Sequence, residues 1–125
     1  MPTAAEVFDK VRQAGESGDL EAYLELLADD MVMEWVTPYP GFPSRMEGGD
    51  RLREFYRGMA DQVRGSRSEF RDVVVHQGAD PEVVIAEYTR ELANAETGET
   101  RSIPYIVVLR VRNGQIVHYR DYFQL

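Results

Sequence analysis

Apolar residues recur at intervals of three and four through the first half of the chain and at every second position through most of the rest, so the pattern predicts helices first and strands afterwards. Thr3-Ala4-Ala5-Glu6 has the spacing of a capping box, in which hydroxyl and carboxylate satisfy each other's free backbone donors at a helix start. Ala4, Val7, Phe8, Val11 and Ala14 form one stripe, and Gly15 and Gly18 supply the stop. Asp19 can cap a second helix with Leu20, Tyr23, Leu24 and Leu27 along one face. Met31 to Val36 is short and apolar enough for a strand in which Met31, Met33 and Trp35 share a face. Thr37 to Pro43 contains three prolines and cannot be regular; its two aromatics either rim a pocket or cover the core. Asp50 can cap a third helix with Leu52, Phe55, Tyr56, Met59 and Val63 on its apolar stripe, ending at Gly65.

Beyond Ser66 the period is two. Strands are expected from Glu69 to Gln77, from Val83 to Leu92, from Ile103 to Arg112, and from Gln115 to Phe123, separated by turn residues. Pro104 stands early enough in its strand to mark an edge or bulge. Asn113-Gly114 is a type I′ turn signal that sets the last two strands antiparallel. The order helix, helix, strand, helix and four strands in a meander gives one α+β domain over residues 1–125, with the helices against one face of a curved sheet.

Composition narrows the function. The 125 residues carry 14 basic and 22 acidic side chains, and the net charge of −8 argues against a nucleic-acid partner or an anionic membrane surface. With no cysteine, thiolate chemistry is excluded. The two histidines, His76 and His118, have no metal-ligand spacing, and no Gly-rich phosphate loop follows a strand, so neither metal nor cofactor is expected. No window has the length of a membrane span and the first residues lack a signal-peptide pattern, which leads to the expectation of a soluble, cytoplasmic protein.

The anomaly is Asp121, a carboxylate inside the last strand, where Asp is disfavoured. The element order, the Leu-Leu-Ala-Asp-Asp run at 26 to 30, the proline-rich loop and the Tyr-Arg-Asp-Tyr-Phe ending resemble the NTF2-like superfamily, which includes ketosteroid isomerase, the SnoaL polyketide cyclases, the PhzA/PhzB proteins and limonene-1,2-epoxide hydrolase. The resemblance spans essentially the whole chain and is sharpest from Glu87 to Phe123. It implies a cone-shaped curved mixed sheet wrapped around the three N-terminal-half helices, a pocket that hosts acid/base chemistry on apolar substrates, and Asp121 as the inward carboxylate of the last strand. It also implies a homodimer formed through the outer sheet face. The Arg-x-Asp pair of the epoxide hydrolase is read here as Tyr88-Thr89-Arg90, and its Tyr-x-Asn as Met33-Glu34-Trp35, so the second carboxylate is missing.

Strand parity with Asp121 pointing inward puts Val117, Tyr119 and Phe123 on its face, and His118, Arg120 and Tyr122 on the other. Matching neighbouring strands to the family's inward positions adds Ile103, Tyr105 and Val107, then Ala86, Tyr88 and Arg90, then Met31, Met33 and Trp35. The candidate catalytic residues are Asp121, Arg90 and Tyr88. The candidate substrate contacts are Met33, Trp35, Tyr105, Val107, Tyr119 and Phe123, with Phe55 and Met59 as floor. Two electrostatic readings of Asp121 stand: desolvation raises its pKa into a range useful for proton transfer, or an ion pair with Arg90 lowers it. Asp72 is a weaker second carboxylate, since the parity of its strand fits two alternatives. The outer face, with Ile106, Val108, Arg110, Ile116, His118, Arg120 and Tyr122, is the expected dimer surface. Two functional classes follow: an enzyme doing cofactor-free isomerisation, cyclisation or epoxide opening on a polyketide- or terpenoid-like substrate, and a non-catalytic module that binds a small apolar ligand.

Overall fold

The Thr3/Glu6 capping box forms in full, with Glu6 N–H donating to Thr3 Oγ1 at 3.1 Å and Thr3 N–H to Glu6 Oε1 at 3.2 Å. It starts α1 (Ala4–Ser17), whose Ala4, Val7, Phe8, Val11 and Ala14 are all buried. Gly18, in the left-handed region at φ 72°, closes the helix by donating to Ala14 O. Asp19 caps α2 (Leu20–Glu25) through Ala22 N–H at 3.0 Å. The computed structural model describes residues 1–63 and 66–125. Within these lie also α3 (Gly49–Val63) and six strands: β1 (Leu27–Trp35), β2 (Arg45–Glu47), β3 (Arg67–Gln77), β4 (Val83–Ala93), β5 (Thr100–Arg112) and β6 (Gln115–Phe123). The expected helix stop at Gly65 falls outside the described residues, and so does the side chain of Val63.

The strands form one curved, mixed sheet in the order β2-β1-β6-β5-β4-β3. Neighbours are antiparallel except β1 and β6, which run parallel. The chain's last strand therefore sits inside the sheet, flanked by its first long strand and its predecessor. The Asn113-Gly114 turn has φ 53° and 76°, as a type I′ hairpin requires. The core lies between the concave sheet face and the helices, with Phe8, Leu24, Leu27, Met31, Leu52, Leu109 and Ile116 almost wholly buried. No helix among the described residues is long and apolar enough to cross a membrane.

Four local expectations change. β1 begins at Leu27 rather than Met31, because Leu27 pairs with Ile116 and Leu26 O accepts from Ile116 N–H at 2.7 Å, so β6 pulls this segment out of the α2 stripe. β2 was not foreseen; its three residues have no apolar alternation and become a strand only by pairing with β1. Asp50 lies inside α3, whose first residue is Gly49, and its carboxylate takes Arg53 at 2.8 Å. The register of β5 and β6 slips by one between Arg110–His118 and Val111–Ile116, which leaves Val117 as an extra residue and reverses parity there. Ile116, placed by alternation on the outer face, is instead fully buried, while Val117 is half-buried. Pro104 does stand at an effective edge: β6 pairing ends at Tyr105–Phe123, and Pro104 O accepts from Gln124 N–H beyond it.

The start of α3 sits directly on β1. A Cβ built on Gly49 would lie 2.5 Å from Ala28 O, a backbone atom that cannot yield, whereas one on Gly58 in the same helix meets nothing within 4 Å. Gly49→Ala is expected to lower stability by about 1–3 kcal/mol, and Gly58→Ala to raise it by about 0.5–1 kcal/mol. Urea unfolding midpoints of the two variants check both signs.

Candidate functional site

Where helices cross the concave sheet they leave a cavity of about 730 Å³. Its sheet wall is built by alternation: Tyr88, Arg90 and Leu92 from β4, Tyr105 from β5, Tyr119 and Asp121 from β6, and Met33 from β1. Its helix wall comes from Val11, Ala14 and Gly15 of α1, Leu20 and Tyr23 of α2, and Tyr56, Met59 and Ala60 of α3. Register explains the sheet side: Tyr88 stands opposite Tyr105, Asp121 opposite Val107, and Met33 beside Tyr119.

An aromatic ladder forms one wall. Phe70 stacks on Tyr88 with ring centroids 4.5 Å apart, and Tyr88 on Tyr105 at 5.3 Å. Gly15 lets α1 approach this ladder, because a Cβ there would lie 3.1 Å from the Phe70 ring edge. On the opposite side, the Tyr23 and Tyr56 hydroxyls meet at 3.3 Å.

Asp121 decides the electrostatics. Its Oδ1 is shut off from solvent and has no hydrogen-bond partner among the described residues. Burial raises its pKa to about 7, a rise that the positive field of Arg90 only partly opposes. Of the two readings of Asp121, the ion pair with Arg90 does not form: the two lie beyond salt-bridge distance, and the Arg90 Nε–H donates instead to Ser68 Oγ at 2.7 Å. Burial also pushes the tyrosine hydroxyls up, Tyr23 to about 12 and Tyr56, Tyr88 and Tyr119 well above their ordinary range, with the Asp121 charge adding to each. They stay protonated near neutrality and serve as hydrogen-bond donors. The wall thus combines one carboxyl able both to take and to give a proton, a set of O–H donors, and one guanidinium.

Of the residues singled out from sequence, Asp121, Arg90, Tyr88, Met33, Tyr105, Tyr119 and Met59 line this cavity. Four others lie off it. Trp35 and Phe55 pack against each other and against Phe42. Val107 is fully buried behind Asp121. Phe123 packs at a tilt against Tyr105 and lines a separate shallow groove. The proline-loop rings Tyr39 and Phe42 join the Trp35 cluster, so that loop covers the core. Asp72 is exposed, at φ 54° in a bulge between Arg71 and Val74. That bulge is why neither simple parity fitted β3: Phe70 faces in, yet the next alternate residue does not. Tyr23 and Phe70 are among the wall residues that alternation alone did not assign, because Tyr23 reads as ordinary helix core and the bulge is invisible in sequence. His118 lies on the outer face, hydrogen-bonded to Glu34 at 2.8 Å.

Residues 8–119 match the SnoaL-like domain family. The chain belongs to that family. Its relatives include an uncharacterised PhzA/B-like protein of Pseudomonas aeruginosa, 31% identical over 86% of this chain and 74% of the other, and the uncharacterised protein YesE of Bacillus subtilis, 32% identical over 84% and 70%. Similar solved structures include a protein of Pseudomonas putida KT2440 provisionally named a polyketide cyclase, at TM-score 0.78 and 26% identity over 100% of this chain and 94% of that one. An LEH-like epoxide hydrolase of M. tuberculosis superposes at TM-score 0.68, with 29% identity over 97% and 82%.

The raised carboxyl of this SnoaL-like cavity has a signature in stability. Its folded pKa near 7 exceeds the unfolded value near 3.8, so the folded state binds the proton more tightly, and Asp121 destabilises progressively as pH climbs from about 4 to about 7. Relative to Asp121→Asn, the wild type should lose stability across that window by at most about 1.4 kcal/mol per pH unit, with no further change above it. Chemical denaturation of both proteins at several pH values measures the difference.

Proposed function

We propose that this SnoaL-like chain is an enzyme of acid/base chemistry that isomerises or cyclises an apolar, ring-bearing substrate of polyketide or terpenoid kind. The observation that carries this reading is the Asp121 carboxyl on the cavity wall, with Oδ1 unpartnered and a pKa near 7. In the proposed step the carboxylate takes a proton from carbon next to a carbonyl. The C–H electron pair shifts to form the enolate, the carbonyl oxygen gains the charge, and tyrosine O–H groups or Arg90 stabilise it. Return of the proton to another carbon completes an isomerisation; attack of the enolate carbon on a second carbonyl closes a ring. Epoxide opening would use the same group as its acid, donating its proton to the ring oxygen while a water oxygen bonds to carbon and the C–O bond breaks, after which the water's extra proton returns to the carboxylate.

A binding module without turnover is the second reading, favoured by one observation. Among the described residues Asp121 is the only carboxylate of the cavity lining that is not exposed, Asp19 and Glu99 both being open to solvent. Water activation by a carboxylate pair therefore has no second member.

We also propose that two copies pair through the outer sheet face. Val74, Ile85 and Ile106 are exposed there, Arg45 and Arg120 share Glu34, Arg110 holds Asp80, and Glu87 is hydrogen-bonded to His76, so two copies of an acidic chain would not repel strongly at this surface. Ile106→Lys should shift sedimentation from dimer to monomer; an unchanged dimer would remove this face as the contact.

Proton transfer is read by deuterium exchange and double-bond migration in cyclic β,γ-unsaturated ketones, followed by NMR. Asp121→Asn should slow it by roughly 10²–10⁴-fold. With Asp121 as base, the wild-type rate should climb with pH and level off above about 7. Ligand binding with no turnover in the wild type, or equal turnover in the variant, would favour the binding module.

A further inference from the structure

Arg90 is a cavity-lining guanidinium without a carboxylate. Several other arginines are matched: Arg12, Arg53, Arg57 and Arg112 each hold a carboxylate at 2.7 or 2.8 Å. Among the described residues none lies within 4.0 Å of Arg90. Its Nε–H is spent on Ser68 Oγ, which fixes the plane of the fork, and its Cζ sits 5.6 Å from the centroid of the Phe70 ring. The guanidinium is thus held beside the first ring of the Phe70–Tyr88–Tyr105 ladder and within reach of the Tyr105 hydroxyl, neutral contacts that leave its charge without a counter-charge. Half-buried cations are ordinarily paired, since removing them from water has a cost that an unsatisfied fork does not recover. Serine and an aromatic face orient the charge without neutralising it. The cavity's other buried charge, Asp121, is beyond ion-pair distance.

We propose that Arg90 receives an acidic group of the ligand, a carboxylate or an equivalent anionic oxygen group. The ligand class is then a flat ring compound with one anionic end: its rings lie along the Phe70–Tyr88–Tyr105 ladder and its acid is held by the Arg90 fork. The planar guanidinium binds such a group through two parallel N–H···O bonds, which fixes orientation as well as affinity. Because the chain carries a net charge of −8, a bound anion gains nothing from the overall field, and its recognition depends on this local cation. The inference rests on the reading of this cavity as a ligand site, and it stands whether or not the ligand is turned over.

The test compares two fluorescent probes with the same rings, the anionic 8-anilinonaphthalene-1-sulfonate and its uncharged parent N-phenyl-1-naphthylamine, titrated into the wild type, Arg90→Met, Arg90→Gln and Arg101→Met. Arg101 also lines the cavity but is exposed, so it controls for charge at the mouth. The preference for the anionic over the neutral probe should fall about tenfold or more in both Arg90 variants and stay unchanged in Arg101→Met, while the neutral probe keeps its affinity throughout. An equal preference in wild type and Arg90 variants, or a loss that follows Arg101, overturns the assignment. Either result leaves the Asp121 chemistry untouched, which is read separately by proton exchange. Failure of both probes to bind the wild type would overturn the ligand site itself.

Discussion

The parallel pairing of β6 with β1 is the contact on which the rest of the molecule depends. It takes the last strand, which the hairpin alone would leave at the sheet edge, and encloses it between β1 and β5. Both neighbours then supply walls: Trp35 stands beside Asp121 on one side and Val107 on the other. A carboxylate on an edge strand would reach water, and its pKa would stay ordinary. Enclosed here, one oxygen is shut off from solvent, and desolvation becomes the dominant influence on its charge.

The two faces of β6 show how little sequence distance separates distinct roles. Tyr119 and Asp121 line a cavity of buried hydroxyls and stacked rings. His118 and Arg120, one residue away, join Glu34 on the outside, His118 through a hydrogen bond and Arg120 at ion-pair distance. The inner charges are treated differently. Asp121 and Arg90 share a cavity without pairing, and each keeps capacity that a salt bridge would have consumed. A carboxyl near neutrality and a guanidinium without a counter-ion are useful to a ligand and of little use to stability. The surrounding aromatic and aliphatic packing must carry the stability instead.

The helices serve this arrangement by how closely they approach. Gly15 brings α1 against the Phe70 ring, and Gly49 brings the start of α3 against the β1 backbone. Between them the Tyr23–Tyr56 contact spans α2 and α3 and closes the far wall. The Trp35, Phe42 and Phe55 rings fill the neighbouring space under the proline-rich loop, which is why the cavity stays on the Tyr88 side of the sheet.

The sequence by itself determined whatever follows from local chemistry and period. The capping box of α1, the Asn113-Gly114 hairpin, the long meander strands and the inward placement of Tyr119 and Asp121 were all legible, because backbone geometry and side-chain alternation act within a few residues. Resemblance of the whole chain to a known family, sharpest over Glu87–Phe123, added the family's pocket to the α+β arrangement that the element order had already given. Tertiary structure alone decided the rest. β2 and the early start of β1 exist through pairing with distant strands, and the bulges at Asp72 and Val117 break alternation without any residue that announces them. Which aromatics line the cavity and which plug its neighbour depended on packing across elements, as the separate fates of Tyr105 and Trp35 show. Above all, whether Asp121 would pair with Arg90 was a question of separation. Two inward residues on strands that are not neighbours can sit in contact or far apart, and only the curvature of the sheet and the hold of Ser68 on the guanidinium settled it.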